Sequence, residues 1–172
     1  EHGADSQVVL VTTREQVVSE VMDALQEQLK QLPRQELAEK AIENSKVFLV
    51  EKEQDALDII NAYAPEHLIL SISNAENIAE KIRNAGSVFI GNYTPESCGD
   101  YASGTNHTLP TNGYAKAYSG VSLDSFVKKI TFQQITLDGL RELGPTVEAM
   151  AEAETLIAHK NAVSIRINTL NS

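Results

Sequence analysis

Glu66 and His67 stand side by side immediately before the apolar run Leu68–Leu70. A short run rich in Leu and Ile that follows a helical pattern is typical of a buried strand in an α/β sheet, so the pair is predicted to lie where a strand begins. An imidazole and a carboxylate in such a place are candidates for proton transfer. The alternative is a hydrated turn, because either side chain costs free energy when it is buried without a partner.

The other residues that could do chemistry are scattered along the chain: His2, Asp100, His107, Glu154 and His159. Imidazole and carboxylate groups suit zinc. No two of these residues show a short ligand spacing on one predicted element, however, so each taken alone is better explained as a solvated or hydrogen-bonded polar residue. Glu154 and His159 lie about 140° apart around a helix, so they can serve one pocket only from adjacent faces or if the helix ends between them.

Cys98 is the single cysteine of the sequence, and it stands two positions from both Glu96 and Asp100. It is a candidate nucleophile, but neighbouring carboxylates disfavour the thiolate that such a reaction requires. We therefore assign it no catalytic role. A lone cysteine also excludes an intramolecular disulfide framework and is consistent with a reducing cytoplasm.

The elements that must position these residues alternate between strand and helix. The patterns predict strands at 6–13, 46–51, 68–70 and 87–91, and helices at 14–32, around 35–43, at 51–64 and at 74–86. Such alternation with short turns predicts a mostly parallel sheet with helices on its faces. We therefore predict that residues 1–121 form the later part of a Rossmann-like α/β domain.

A long loop at 92–120 contains four glycines and two prolines and shows hardly any periodicity. Loops of this length are usually functional or disordered, and the tyrosines interspersed here favour order. Parallel sheets bind ligands at the carboxyl ends of their strands, so this segment is the candidate active-site loop. The C-terminal tail, 122–172, is predicted to be mainly helical, with a helix at 122–129, a strand at 130–136, a short helix at Leu137–Leu143 and a long helix that begins at Pro145.

The composition bounds the partners of the chain. The 172 residues are 42% hydrophobic, which is enough for one domain with a real core. Fourteen basic residues against 24 acidic ones give a net charge of -10, so we expect neither nucleic acid nor an anionic membrane as a partner. No apolar stretch approaches the length of a membrane span. We expect a cytoplasmic protein.

Four segments of the sequence together carry a resemblance to a known family. They read EHGADSQ (1–7), APEHLIL (64–70), NAGSVFIGNYTPESCGDYASGTNHTLPTNGYAKAYSGVS (84–122) and AEAETLIAHKNAVSIRIN (151–168). The chain resembles histidinol dehydrogenases over essentially its whole length. It opens inside the family's Gln-Ala-Glu-His-Gly motif without the Gln and Ala, and it has no initiator Met. We therefore expect the C-terminal part of a longer chain whose N-terminal part is missing.

The resemblance implies an activity and its cofactors. Members of this family oxidise L-histidinol through L-histidinaldehyde to L-histidine, the last step of histidine biosynthesis, in two NAD-dependent reactions that use Zn²⁺. By motif, His2, Asp100 and His159 correspond to zinc ligands, and the family takes the equivalent of His159 from the partner subunit of an intertwined homodimer. The resemblance thus implies that the tail, 122–172, is swapped between subunits. Contacts to NAD are expected in the missing N-terminal part, so no residue here is assigned to them.

The same resemblance gives roles to the opening pair. His67 corresponds to the base that takes the alcohol proton, and Glu66 to the base that activates water for attack on the aldehyde. His107 and Glu154 correspond to substrate-binding residues. The full substrate-binding set implied by the resemblance is His2, His67, Asp100, His107, Glu154 and His159.

Three hypotheses follow for the function of the chain. The first is a piece of a histidinol dehydrogenase that is inactive by itself. The second is a zinc-binding or dimerisation module without catalysis, and the third is an unrelated α/β domain in which Glu66 and His67 lie in a hydrated turn. We favour the first, because a module selected only for binding need not retain the Glu-His pair together with Asp100 and Glu154.

Overall fold

The structure is a computed structural model that describes residues 2–170. The chain divides into two units, Glu1–Phe126 and Val127–Ser172. Among the described residues, no helix combines the length and the apolar character that crossing a membrane requires.

Four short strands of the first unit pair in parallel. Strand β1 (Val9–Thr12) pairs with β2 (Lys46–Leu49), and β3 (His67–Leu70) pairs with β4 (Ser87–Ile90). Over residues 2–170 the two pairs are separate two-stranded sheets. The predicted α/β class with parallel strands is confirmed. Strands β1, β2 and β4 are shorter than their sequence patterns, whereas β3 begins one residue before its pattern, at His67.

Helices alternate with these strands as the sequence pattern predicted, and one further helix that was not predicted follows β4. They are α1 (Glu15–Leu29), α2 (Gln35–Glu43), α3 (Glu53–Tyr63), α4 (Ala75–Ala79) and α5 (Glu96–Tyr101). Helix α4 ends well before the predicted boundary at 86, because the backbone of residues 83–86 bonds instead to α3 and to the segment before β3.

The hydrophobic core of the first unit lies on one face of the β3–β4 sheet. Its buried members are Leu57 from α3, Leu68 and Leu70 from β3, and Ala75 and Ile78 from α4. Successive side chains of a strand point to opposite faces. His67 and Ile69 therefore lie on the face of β3 that is turned away from this core.

Helix α5 lies within the loop at 92–120 and was not predicted from the sequence. Gly99 in its middle lowers helix propensity, yet this glycine is what lets the helix approach the sheet. A Cβ atom at Gly99 would lie 2.7 Å from Cε1 of Phe89 and 2.8 Å from Oγ1 of Thr105. Gly99 thus weakens the helical pattern of the sequence but allows α5 to pack on β4.

The second unit is built on two helices, α6 (Leu137–Ala153) and α7 (Ile157–Leu170). The predicted break between a helix ending at Leu143 and another beginning at Pro145 is wrong, because α6 continues through the proline. Gly144 is buried against the side chains of Ile167 and Val163. Packing on α7 at this point outweighs the loss of one backbone donor.

Two predictions for the segment before α6 are also wrong. The expected strand at 130–136 is irregular, and the expected helix at 122–129 is reduced to a 3-10 turn at Leu123–Phe126. A strand needs a hydrogen-bonding neighbour, and over residues 2–170 the strand pairs involve only β1 to β4. Despite its alternating apolar residues, this segment therefore forms no strand in the described structure, because no neighbouring strand completes its hydrogen bonds.

Candidate active site

His67 is the first residue of β3, and its ring is the centre of the candidate site. The register of the sheet places Phe89 opposite Ile69, so His67 and Phe89 share a face, and their ring centroids are 5.9 Å apart. The side chain is 20% exposed. Its Nε2 atom is buried and has no hydrogen-bond partner among the described residues. A buried polar atom without a partner is uncommon and requires an explanation.

Two carboxylates of α5 flank this nitrogen. Glu96 and Asp100 are four positions apart and so lie on one face of the helix. Nε2 of His67 is 3.7 Å from Oε1 of Glu96 and 3.8 Å from Oδ1 of Asp100, distances too long for hydrogen bonds. The three groups offer one ligand atom each within 4.8 Å of one another, and imidazole nitrogen and carboxylate oxygen are donors that zinc accepts.

The electrostatics of the site follow from the crowding of these groups. Burial raises the pKa of Glu96, and the hydrogen bond to Asp100 and the negative charge of Asp100 raise it further. The charges of His67 and His2 oppose this rise in pKa. His2 thus lies close enough to act electrostatically on the cluster. The structure brings together His67 and Asp100, two of the residues that the sequence singled out.

The site lies beside the amino end of β3. The sequence pattern predicted ligands beyond the carboxyl ends of the strands, in the loop after β4. Because His67 begins β3 and the two carboxylates follow the end of β4, α5 must return along the face of the sheet to reach the imidazole. The contact between Gly99 and Phe89 is what holds it there.

Glu66 precedes β3 directly and is half-buried. Within residues 2–170 its carboxylate makes no hydrogen bond or ion pair. Its backbone is held firmly, since the Glu66 carbonyl accepts a 2.9 Å hydrogen bond from the N–H of Ser87. The side chain is therefore free to act on a ligand while its backbone stays fixed.

The remaining candidates of the first unit lie at its surface. His107 is exposed in the loop after α5. In the described part of the chain it does not belong to the cluster of His67, Glu96 and Asp100. Cys98 is exposed on α5, between the two carboxylates in sequence.

Glu154 and His159 both belong to the second unit and are exposed there. Glu154 caps the carboxyl end of α6, and His159 lies in the first turn of α7. Thr155 between them has a φ of 62°, in the left-handed region. The helix therefore ends between the two residues, one of the two conditions under which they could serve a single pocket.

Glu96 is the site residue that sequence reasoning missed, since it was considered only as a neighbour of Cys98. The signal that could have found it is its spacing of four from Asp100, which puts both carboxylates on one helical face. Without a predicted helix over 96–101, that spacing carried no meaning.

Comparisons with known proteins agree with this fold. The sequence model of the family described as histidinol dehydrogenase matches residues 1–167. Histidinol dehydrogenase of Bacteroides thetaiotaomicron is 61% identical over 170 residues, which are 99% of this chain and 40% of that protein. The enzyme of the same name from Haemophilus influenzae is 53% identical, with the same coverage.

The solved structures give the same answer. The crystal structure of histidinol dehydrogenase from Elizabethkingia anophelis superposes with a TM-score of 0.93 at 57% identity, over 99% of this chain and 40% of that one. The fold is thus an α/β unit that a histidinol dehydrogenase of known structure also contains. The chain belongs to the histidinol dehydrogenase family, and it spans about 40% of the length of the relatives it matches.

Proposed function

We propose that this chain supplies the proton-transferring residues and part of the zinc site of a histidinol dehydrogenase, which oxidises L-histidinol through L-histidinaldehyde to L-histidine with NAD. Membership of the family supports the reaction. The observation that carries the proposal is the Nε2 atom of His67, which is buried, has no hydrogen-bond partner among the described residues, and faces two carboxylates.

His67 is the base of the first oxidation in this proposal. The hydroxyl of the substrate approaches Nε2, which accepts its proton while the carbinol carbon gives up a hydride. The neighbouring carboxylates of Glu96 and Asp100 stabilise the positive charge that the ring then carries. Contact with Phe89 fixes the plane of the ring during the transfer.

Glu66 is the base of the second oxidation. Its half-buried carboxylate can take a proton from a water molecule as the water oxygen bonds to the aldehyde carbon. The resulting hydrate again has a C–H bond and a hydroxyl proton to lose. Each of the two adjacent residues thereby serves the step that its chemistry suits.

Imidazole and carboxylate groups suit zinc, and we propose that Asp100 of the cluster holds it together with His2 and with His159 of the partner subunit. When bound, zinc supplies a Lewis acid that orients the substrate nitrogens, and NAD accepts the hydride of each oxidation. His107 and Glu154 would bind the substrate, where the carboxylate of Glu154 can accept a hydrogen bond from its amine. We also propose that the enzyme works in the cytoplasm.

The tail, 122–172, is proposed to cross between the subunits of a homodimer. The segment before α6 supports this, because Phe132 is 92% exposed and Ile130 is 69% exposed. Light scattering on a protein that contains this chain should give the mass of a dimer, and replacing Phe132 by aspartate should shift it toward the monomer. A strictly monomeric and fully active protein would contradict the swap.

A hybrid protein tests the activity itself. In it, this chain replaces the matching segment of the Bacteroides thetaiotaomicron relative, so that the remaining part of an intact relative surrounds it. We expect NAD-dependent oxidation of L-histidinol within about tenfold of the relative's own rate, a barrier difference of about 1.4 kcal/mol. His67→Asn in the hybrid should reduce kcat by about 10²- to 10⁴-fold. A folded hybrid that leaves histidinol unchanged would contradict the proposal.

A further inference from the structure

Asn61 on α3 is the polar residue that the described core buries most completely. Its exposed fraction is 7%, and among residues 2–170 no other polar or charged residue is classed as buried. Burying an amide is costly unless its donors and acceptors are satisfied. The contacts of this side chain therefore show why the fold retains it.

The amide ties α3 to the segment that leads into β4. Oδ1 of Asn61 accepts the N–H groups of Arg83 at 2.7 Å and of Asn84 at 3.2 Å. Nδ2 donates a longer bond of 3.4 Å to the carbonyl of Lys81. We call Asn61 together with residues 81–86 the brace.

The backbone of Asn61 is part of the same brace. Its carbonyl would ordinarily accept a bond from the N–H four residues later, but that residue is Pro65, which has none. The side chain of Asn84 donates to this carbonyl instead, at 2.8 Å. Asn61 and Asn84 thus satisfy each other across the end of α3.

Hydrogen bonds connect the end of the brace to the backbone at the catalytic pair. The next N–H groups along the segment, those of Gly86 and Ser87, donate 2.9 Å hydrogen bonds to the carbonyls of Pro65 and Glu66. Contact is so close that a Cβ atom at Gly86 would lie 2.5 Å from the carbonyl oxygen of Glu66 and 3.2 Å from Cβ of Leu109. The position of Glu66 therefore depends on where the brace holds residues 83–86.

We infer that Asn61 is a positioning residue, which through the brace fixes the backbone of Glu66 and His67 for proton transfer. The inference rests on the proposed function of that pair. Without the amide, two backbone N–H groups lose a buried acceptor, and residues 83–86 shift to find another. A displacement of even 1 Å in a catalytic group reduces the rate steeply, so the effect reaches the chemistry although Asn61 touches no substrate.

Paired asparagine variants of the hybrid protein test this inference. Asn61→Ala removes the acceptor, whereas Asn61→Asp keeps an oxygen for the N–H groups of Arg83 and Asn84. Asn74→Ala is the matched control, because the Asn74 side chain donates a 3.0 Å bond to Glu53 at the surface and, among the described residues, none to Asn61 or to residues 81–86. Each variant is measured for kcat and KM of histidinol, per bound zinc, and for its melting temperature.

We expect Asn61→Ala to lower kcat about 10- to 100-fold and to change KM less than about threefold. This pattern is expected because the variant misaligns the catalytic pair and leaves substrate binding intact. Asn61→Asp should restore kcat to within about threefold of the unsubstituted hybrid, and Asn74→Ala should leave it within about twofold. If Asn61→Ala fails to fold, Gly86→Ala gives a second test, because its Cβ presses on the Glu66 carbonyl and should lower kcat with the same unchanged KM.

Two results overturn the inference while leaving the proposed function standing. One is a kcat of Asn61→Ala, or of Gly86→Ala where that variant replaces it, equal to that of Asn74→Ala in an active hybrid. The other is an Asn61→Asp variant that melts like the unsubstituted protein but is as slow as Asn61→Ala. An unsubstituted hybrid without histidinol oxidation overturns the proposed function, and this inference with it.

Discussion

The two parallel strand pairs of the first unit share their length, direction and end-to-end register, yet they differ in what covers them. In the β3–β4 sheet, Leu68 and Leu70 are buried beneath α3 and α4, while α5 packs on the opposite face at Phe89. In the β1–β2 sheet, all four residues of β2 are exposed. The candidate chemistry lies on the covered sheet, because packing on both faces is what holds an imidazole beside two carboxylates with its Nε2 atom buried.

Matched leucines at the ends of two strands give the largest expected difference in stability. Leu70 closes β3 and is 4% exposed, whereas Leu49 closes β2 and is 52% exposed. Leu70→Ala should lower the free energy of unfolding by about 2–5 kcal/mol, and Leu49→Ala by less than about 1 kcal/mol. Urea unfolding of both variants measures this, and equal losses would show that the sheets do not differ as described.

Neighbouring residues of α5 provide the next comparison. Gly99→Ala places a methyl group 2.7 Å from Phe89, so we expect a loss of about 1–3 kcal/mol in unfolding free energy. Cys98→Ala changes an exposed side chain and should stay within about 0.5 kcal/mol. In the hybrid, Cys98→Ala should also retain most of the activity. A loss of several orders of magnitude there would instead establish a covalent role for the thiol.

The smallest effect concerns a surface contact that joins the two helices covering the β3–β4 sheet. The hydrogen bond from Asn74, followed by the ammonium of Lys81, holds the pKa of Glu53 below its ordinary value despite some opposing burial. A carboxyl whose pKa is lowered on folding contributes stability above its unfolded pKa, and that stability is lost as the pH falls through the folded pKa. Asn74→Ala should therefore raise the Glu53 pKa in an NMR titration. It should also make the free energy of unfolding fall less steeply as the pH is lowered through the Glu53 pKa. An unchanged pKa would contradict this assignment.

Sequence reasoning found the parts of the fold whose signals are local. The strand-helix alternation that predicts β1 to β4 needs only hydrophobic periodicity, and the motifs around Glu66, His67 and Asp100 are contiguous segments of the chain. It failed where a distant contact outweighs a local preference. Gly99 weakens the helical pattern of α5 in the sequence, although it is the residue that allows α5 to pack closely on Phe89. Pro145 remains within α6 because α7 packs beside it.

The site could be predicted only in part for the same reason. His67 and Asp100 were identified one at a time, but the approach of Asp100 and Glu96 to Nε2 of His67 depends on the return of α5 along the sheet, which no periodicity encodes. The strand predicted at 130–136 has the right alternation and lacks a neighbour to complete it within the described chain. Alternation predicts which face of a segment is apolar, but it does not predict which other element packs against that face.

The most direct test of this account separates the roles of the adjacent residues Glu66 and His67. NADH formation in a single turnover of the hybrid is followed from L-histidinol and, separately, from L-histidinaldehyde. Glu66→Gln should form the first NADH from histidinol at close to the normal rate and slow aldehyde oxidation by about a hundredfold or more, because an amide cannot take a proton from water. His67→Asn should instead slow the first hydride transfer. Equal slowing from both starting compounds in both variants would contradict the division of labour between the two residues.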